Sequence, residues 1–178
     1  MPMLIAAVAF VGGLCALDLL LTFGVIRRLR EHANMIAESG GSSRPGWGLD
    51  VGEFPAAFSA LTTSGQPLGG ATGLRAVAFF ASWCPVCPER VGPFLDFLSG
   101  HALARDDVLA VVVDGDGDPP PYLARLAEVA TICLEPSDGE IAQAFRLTGF
   151  PAFFLLDADG AVTASGYDPA QLPQPAAV

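Results

Sequence analysis

Arg75–Pro88 reads Arg-Ala-Val-Ala-Phe-Phe-Ala-Ser-Trp-Cys-Pro-Val-Cys-Pro in a chain of 178 residues. The apolar first part of this stretch predicts a buried strand, and the part from Cys84 onward predicts the start of a helix. A thiol at a helix N-terminus faces unpaired backbone N–H groups and the positive end of the helix dipole, which favour the thiolate. Cys87 follows about one helical turn later, close enough to displace Cys84 from a mixed disulfide. The stretch therefore predicts a redox pair, with Cys84 as nucleophile and Cys87 as resolving thiol.

Two other interpretations of this spacing are a zinc site and an inert structural disulfide. A structural zinc site needs four Cys or His ligands. The remaining candidates are scattered along the chain, at Cys15, His32, His101 and Cys133. We therefore expect no metal, and no cofactor beyond the redox-active disulfide of Cys84 and Cys87.

The N-terminal part of the chain is almost continuously apolar from Met3 to Ile26. At ~1.5 Å per residue such a helix reaches about 35 Å, enough to cross the hydrocarbon core of a membrane. A cleaved signal peptide fits less well, because no Lys or Arg precedes the apolar run. Asp18 inside the span costs ~2.5 to 3.5 kcal/mol if it lies near the bilayer centre, and its role stays open. We predict a retained single-pass anchor over residues 1–30.

The orientation of this anchor is left open by the sequence. Arg27, Arg28 and Arg30 follow the span and no basic residue precedes it, which places the rest of the chain in the cytoplasm by the positive-inside rule. The dithiol favours the opposite side, because substrate disulfides persist outside the cytoplasm. We favour a cell-membrane protein with an extracytoplasmic redox domain, although the positive-inside rule, applied to the three arginines, favours a cytoplasmic one.

Beyond the anchor, residues 31–48 predict a juxtamembrane helix and a linker rich in Gly, Ser and Pro. Residues 49–172 form the predicted folded domain, and residues 173–178 a frayed tail. Strand and helix patterns alternate within the domain and end in a hairpin, which predicts an α/β fold with a central mixed sheet and helices on both faces. The predicted strands cover 76–81, 108–113, 131–134, 152–156 and 161–165, and the predicted helices cover 84–98, 121–129 and 138–146.

The charge of the chain disfavours a nucleic-acid partner. Its formal net charge is −10, and its nine basic residues are all arginines. No basic stripe occurs apart from the cluster that follows the apolar span.

Four features together resemble the thioredoxin superfamily: Trp83–Cys87 after a strand, Gly149-Phe150-Pro151 before a strand, the Asp157–Gly160 turn, and the lead-in segment Val51–Phe58. The lead-in segment is similar to that of the membrane-anchored redoxins of the TlpA and ResA type. With the N-terminal span and its basic flank, the chain looks most like the MauD type, accessory proteins of methylamine dehydrogenase maturation. The resemblance covers about residues 49–171.

This resemblance implies a thioredoxin-like three-layer fold preceded by one transmembrane helix. It also implies a membrane-tethered thiol:disulfide oxidoreductase, a protein disulfide reductase, with disulfide-containing protein partners and an unidentified electron donor. In the family the proline equivalent to Pro151 is cis and faces the dithiol, and the backbone at Phe150 holds an extended substrate segment. Trp83 is expected to pack beside the dithiol.

The chain departs from the family pattern near the dithiol. Ala78 stands where thioredoxin has an acidic proton relay, and Arg90 stands where many TlpA-type proteins have a Glu. Glu89, one position away, is either a proton carrier or an exposed carboxylate that stabilises the helix dipole. Arg90, if it lies near Cys84, favours the thiolate. Whether the protein reduces, oxidises or isomerises disulfides stays open.

Two alternative functions come from other classes. Peroxiredoxins share the lead-in motif, but the thiol peroxidase environment has a proline ahead of its cysteine that Ala76–Ser82 does not supply. A copper-delivery protein of the Sco kind needs a longer spacing between its cysteines and a distal histidine near the Pro151 region. The sequence favours the oxidoreductase over both.

Overall fold

The computed structural model of the chain describes residues 12–13, 47–114 and 119–174. The chain separates into two compact units, residues 1–45 and 46–178. Of the predicted membrane span, Gly12 and Gly13 are described and are helical, and the rest lies outside the described residues. Within the described ranges no helix is both long enough and apolar enough to cross a bilayer.

The second unit contains both strands and helices. In chain order the elements are β1 (Ser59–Leu61), β2 (Pro67–Gly69), β3 (Ala76–Ala81), α1 (Cys87–Gly100), β4 (Val108–Val113), α2 (Leu123–Val129), β5 (Thr131–Glu135), α3 (Glu140–Ala144), β6 (Ala152–Leu156) and β7 (Val162–Gly166). A five-stranded mixed sheet forms the centre of this unit, with the strand order β5-β4-β3-β6-β7. Strands β3, β4 and β5 are parallel, and β6 and β7 are antiparallel to their neighbours. A separate two-stranded hairpin, β1-β2, precedes this sheet in the chain.

Two apolar cores lie on opposite faces of the sheet. Every residue of β3 and of β4 is buried, as their unbroken apolar runs predict for central strands covered on both sides. On one face Phe79 packs with Phe145 and Phe154, and α3 contributes Ile141 to the same cluster. On the other face the buried side chains of α1 and α2 join those of the sheet, including Phe80, Val91, Phe94, Leu126 and Phe153. The predicted mixed sheet with helices on both faces is therefore confirmed.

The predicted strands at 76–81, 108–113 and 152–156 have the bounds that the structure gives them. The predicted start of the first helix at Cys84 is wrong, because α1 begins at Cys87. Residues 84–86 form a turn instead, closed by a hydrogen bond from the Cys87 N–H to the Cys84 carbonyl at 3.3 Å. Pro93 lies inside α1, and the helix continues through it to Gly100.

Phe79→Ala should lower the free energy of unfolding by about 3 to 5 kcal/mol, the cost of removing a large buried side chain and leaving a cavity. Phe79 is fully buried and contacts two aromatic rings, with centroids 5.2 Å and 5.9 Å away. Urea denaturation of the reduced protein measures the change. Phe54→Ala is the matched control, because the Phe54 side chain is 58% exposed and its loss should cost less than about 0.5 kcal/mol. Equal losses in the two variants would contradict this view of the core.

Candidate redox site

The pairing of β3 with β6 brings two distant loops together at one end of the sheet. Ala152, the first residue of β6, lies opposite Phe79 in an antiparallel register. The turn that follows the C-terminal end of β3 therefore lies beside the loop that precedes β6. The first loop carries Cys84, and the second carries Phe150 and Pro151.

Cys84 lies in a tight turn between β3 and α1. Its N–H donates to the Ala81 carbonyl at 3.1 Å, which closes the turn at the last residue of β3. Its Sγ accepts a hydrogen bond from the backbone N–H of Cys87, the first residue of α1, at 3.2 Å. The Cys87 N–H at the helix start is thus shared between the Cys84 carbonyl and the Cys84 sulfur, and such a donor stabilises negative charge on its acceptor. Cys84 is outside the helix, but the predicted interaction with the helix N-terminus is present.

The Phe150 carbonyl lies against the same sulfur. The Cys84 thiol donates to this oxygen with a separation of 3.7 Å. The Phe150–Pro151 peptide bond is cis, as the resemblance implied. Pro151 is buried, whereas Phe150 is half-buried and packs with Cys84 against the cores on both faces of the sheet. The sequence-predicted group of Cys84, Phe150 and Pro151 is therefore one contiguous site.

The two thiols of the pair differ in their surroundings. Cys84 is half-buried and Cys87 is fully buried, and both are free thiols in this structure. Burial, and next the hydrogen bond with Cys84, raise the pKa of the Cys87 thiol to about 12. Cys87 is therefore a neutral thiol at neutral pH, behind a sulfur that solvent reaches.

Trp83 and Val86 form the exposed apolar surface around Cys84. The Trp83 side chain is 52% exposed and its ring meets the Phe150 ring edge to face, with centroids 6.1 Å apart. Val86 is 42% exposed. Trp83 thus packs beside the loop that faces the dithiol, and it is not a core tryptophan. Exposed aromatic and apolar side chains beside a reactive group suit contact with a partner protein.

Glu89 and Arg90 lie on the first turns of α1 but have different environments. Glu89 is exposed, in the position where a carboxylate stabilises the helix dipole. The Arg90 guanidinium forms an ion pair with Asp168, in which Nη1 and Oδ2 are 3.3 Å apart. Among the described residues, the ionic partner of Arg90 is thus a carboxylate near the C-terminal end of the domain.

Tyr122 is a neighbour of the dithiol that the sequence analysis did not identify. Its buried hydroxyl donates to the Ala81 carbonyl at 3.2 Å, the same carbonyl that accepts from the Cys84 N–H. Burial raises the pKa of Tyr122 above its ordinary value, and the charges of Cys87, Cys84 and Asp114 raise it further. No local sequence signal marks this tyrosine, because its partner is on another element.

Trp47 packs against the residues that precede Phe150 in its loop. Its indole ring lies so close to Gly149 that any side chain at that position would overlap it. The Thr148 N–H donates to the Trp47 carbonyl at 3.1 Å. Composition predicts that Trp47 belongs to the linker, yet it packs on the loop that faces Cys84, which explains why a glycine, Gly149, precedes Phe150.

Cys133 is separate from this site. It is fully buried in β5, and burial, followed by the charge of Glu135, raises the pKa of its thiol to about 11. Across the described ranges, no group of three or more His, Cys, Asp or Glu side chains is arranged to hold a metal ion.

The stability of the reduced protein should fall as pH rises from about 8.5 toward 12. An unfolded thiol ionises near 8.5, whereas the folded Cys87 does so only near 12, so the unfolded state loses this proton first. The Cys87 thiol makes its full contribution to the free energy of unfolding below about pH 8.5. Above that pH the free energy of unfolding falls by at most about 1.4 kcal/mol per pH unit for this one proton. Urea denaturation from pH 7 to 10.5, under reducing conditions, measures it.

Cys87→Ala should make this pH dependence shallower than in the unmodified protein. Cys133→Ala removes the other thiol whose pKa burial raises, so it should also make the pH dependence shallower. Curves for Cys87→Ala and the unmodified protein that stay parallel over this range would show that Cys87 is not held as a neutral thiol.

Comparison with known proteins agrees with this architecture. Residues 70–174, more than half of the chain, match the thioredoxin-like domain family. The methylamine utilization protein MauD of Methylorubrum extorquens is 31% identical over 126 residues, which cover 67% of this chain and 58% of that protein. The chain therefore spans less than two thirds of the length of this relative.

Two solved structures show the same fold at low sequence identity. The thioredoxin domain of a thiol-disulfide oxidoreductase from Bacteroides vulgatus is 16% identical with a TM-score of 0.51, covering 66% of this chain and 88% of that one. A thiol-disulfide oxidoreductase from Bacteroides fragilis is also 16% identical with a TM-score of 0.51, covering 64% and 89%. With its mixed sheet, its paired cysteines after β3 and its cis proline before β6, the chain belongs to the thioredoxin-like domain family.

Proposed function

We propose that this protein is a thiol:disulfide oxidoreductase that uses Cys84 and Cys87 to reduce or exchange disulfides in partner proteins. The observation that carries the proposal is the contrast between the two sulfurs. Cys84 is accessible and its Sγ accepts the Cys87 N–H at 3.2 Å, whereas Cys87 is fully buried. A nucleophile must reach a bulky substrate, and a resolving thiol needs only to reach the nucleophile.

The proposed reaction has two exchanges. The Cys84 thiolate attacks one sulfur of the substrate disulfide, forms a mixed disulfide and releases the other substrate sulfur as a thiolate. Cys87 then attacks the Cys84 sulfur, and its proton passes to the substrate thiolate that leaves. The substrate gains two electrons, one proton from Cys87 and one from solvent, which took up the Cys84 proton when the thiolate formed, and the protein is left with a Cys84–Cys87 disulfide. An external dithiol donor returns the protein to its reduced form.

The loop at Phe150 is the proposed site for the substrate chain. Its carbonyl is 3.7 Å from the Cys84 Sγ, so a segment that bonds to this backbone lies over the nucleophile. Trp83 and Val86 lie within two residues of Cys84 in the chain, and their exposed faces supply apolar contacts for the substrate. This arrangement supports a protein substrate with an extended segment beside its disulfide.

The proposal includes a membrane anchor formed by the apolar residues 3–26, with the redox domain outside the cytoplasm. Its support comes from the length and hydropathy of that segment. The orientation is favoured by the persistence of disulfides outside the cytoplasm and opposed by Arg27, Arg28 and Arg30.

Cys84→Ser should reduce the rate of insulin disulfide reduction to the uncatalysed rate, because no other accessible thiol lies in the site. Cys87→Ser should retain the first exchange and accumulate a mixed disulfide with the substrate, detected by mass spectrometry. Cys133→Ala should keep the activity of the unmodified protein, because this thiol lies on β5 away from the site. If both cysteine variants of the pair keep full activity, the proposed function is wrong. Peroxide consumption by the reduced protein that Cys84→Ser abolishes would instead favour the thiol peroxidase.

A membrane-impermeant maleimide should label Cys84 in cells whose cytoplasmic membrane is intact. The Cys84→Ser variant is the control, because it keeps Cys15, Cys87 and Cys133 and lacks only Cys84. Labelling that appears only after the membrane is disrupted would place the domain in the cytoplasm, as the arginine cluster predicts.

A further inference from the structure

We propose that the Tyr122 hydroxyl is a positioning group for the dithiol, which holds the Ala81–Cys84 turn and shifts the redox equilibrium toward the reduced form. This inference rests on the proposed function, because it concerns the same pair of cysteines. Tyr122 is the N-cap residue of α2 and belongs neither to the dithiol segment nor to the Phe150 loop.

The Ala81 carbonyl is the shared acceptor in this arrangement. It terminates β3 in a fully buried position, where an acceptor without a donor is costly. The Cys84 N–H reaches it at 3.1 Å and the Tyr122 hydroxyl at 3.2 Å. Both lone pairs of this oxygen are thus in use. The Cys84 N–H sets the direction of the turn, and the Tyr122 hydroxyl comes from a different part of the chain.

The Tyr122 ring is held in place by its own packing. It lies against Phe80, the residue before Ala81, with ring centroids 5.7 Å apart, and its side chain is 7% exposed. The hydroxyl therefore approaches Ala81 from a fixed direction. Because the ring packs on β3 itself, the hydroxyl and the carbonyl move together with the strand that carries the dithiol.

The turn in question determines where the Cys84 sulfur lies. Its Sγ lies 3.2 Å from the Cys87 nitrogen and 3.7 Å from the Phe150 oxygen, and both separations depend on the direction in which the chain leaves Ala81. The Cys87 N–H stabilises negative charge on the Cys84 sulfur, and a disulfide sulfur carries no such charge. By holding the turn that keeps the sulfur against this N–H, the Tyr122 hydroxyl favours the dithiol form.

The chain offers a matched pair of variants, because Tyr122 and Tyr167 are its only two tyrosines. Tyr122→Phe removes the hydroxyl and keeps the ring. Tyr167→Phe makes the same chemical change on a side chain that is 38% exposed and packs on Trp47.

The equilibrium with glutathione measures the effect. In this reaction the dithiol loses two electrons and two protons and forms one S–S bond, and one glutathione disulfide becomes two glutathione molecules. Tyr122→Phe should shift the equilibrium constant roughly three- to tenfold toward the protein disulfide, the size expected for one hydrogen bond. The alkylation rate of Cys84 at pH 7 should fall by a similar factor. Tyr167→Phe should change neither quantity.

A hydroxyl that only stabilises the fold would affect the two redox forms equally and leave the equilibrium constant unchanged. Equal constants in Tyr122→Phe and Tyr167→Phe would therefore overturn the proposal. Failure of the proposed oxidoreductase function would give a different result. The unmodified protein would not reduce insulin, and its rate would equal that of Cys84→Ser.

A measurement on the unmodified protein covers the case in which Tyr122→Phe does not fold. With 13C at the tyrosine Cζ, the two tyrosines give two signals. Oxidation of the dithiol should move the Tyr122 signal and leave that of Tyr167 in place. A Tyr122 signal that is the same in both redox forms would overturn the proposal as well.

Discussion

The antiparallel pairing of β6 with β3 is the constraint on which the site depends. The register sets Ala152 against Phe79, and it is maintained by apolar side chains buried on both faces of the sheet. Because strands in a sheet are rigidly spaced, this register fixes the distance between the turn after β3 and the loop before β6. The position of the Phe150 carbonyl against the Cys84 sulfur is a consequence of that register. A shift by one residue would turn every β6 side chain to the opposite face and remove the loop from the dithiol.

The site differs in polarity from the core that supports it. The three central strands, β3, β4 and β6, are wholly apolar, so each buried backbone group at their ends must find a donor or acceptor nearby. At the end of β3 the donors are the Cys84 N–H and the Tyr122 hydroxyl, and at the start of α1 the Cys87 N–H is shared by the Cys84 carbonyl and the Cys84 sulfur. These hydrogen bonds hold the sulfur of the half-buried Cys84 between the Cys87 nitrogen and the Phe150 oxygen, while the fold fully buries Cys87. The two cysteines, alike in sequence, therefore have different chemical environments.

Strands with an unbroken apolar run were predicted correctly from the sequence, and features that depend on particular hydrogen bonds or ion pairs were not. The bounds of β3 and β4 were predicted because an unbroken apolar run of strand length is a local signal of burial on both faces. The start of α1 was predicted three residues early, because the turn at 84–86 is set by hydrogen bonds to Ala81 and to the cysteine sulfur, which helix propensity does not contain. The partner of Arg90 could not be predicted either, since Asp168 is brought to it by the fold of the C-terminal segment.

The sequence by itself determined the chemistry available to this protein: two thiols one turn apart after a buried strand, a proline ahead of a later strand, and a formal net charge of −10. These properties depend on residue type and short spacing, which are local. Only the tertiary structure decided which thiol is exposed, which carbonyl faces it, and which distant side chains, Trp47 and Tyr122, hold the two loops. Burial and hydrogen-bond partners arise from contacts between segments far apart in the chain, and no short stretch of sequence contains them.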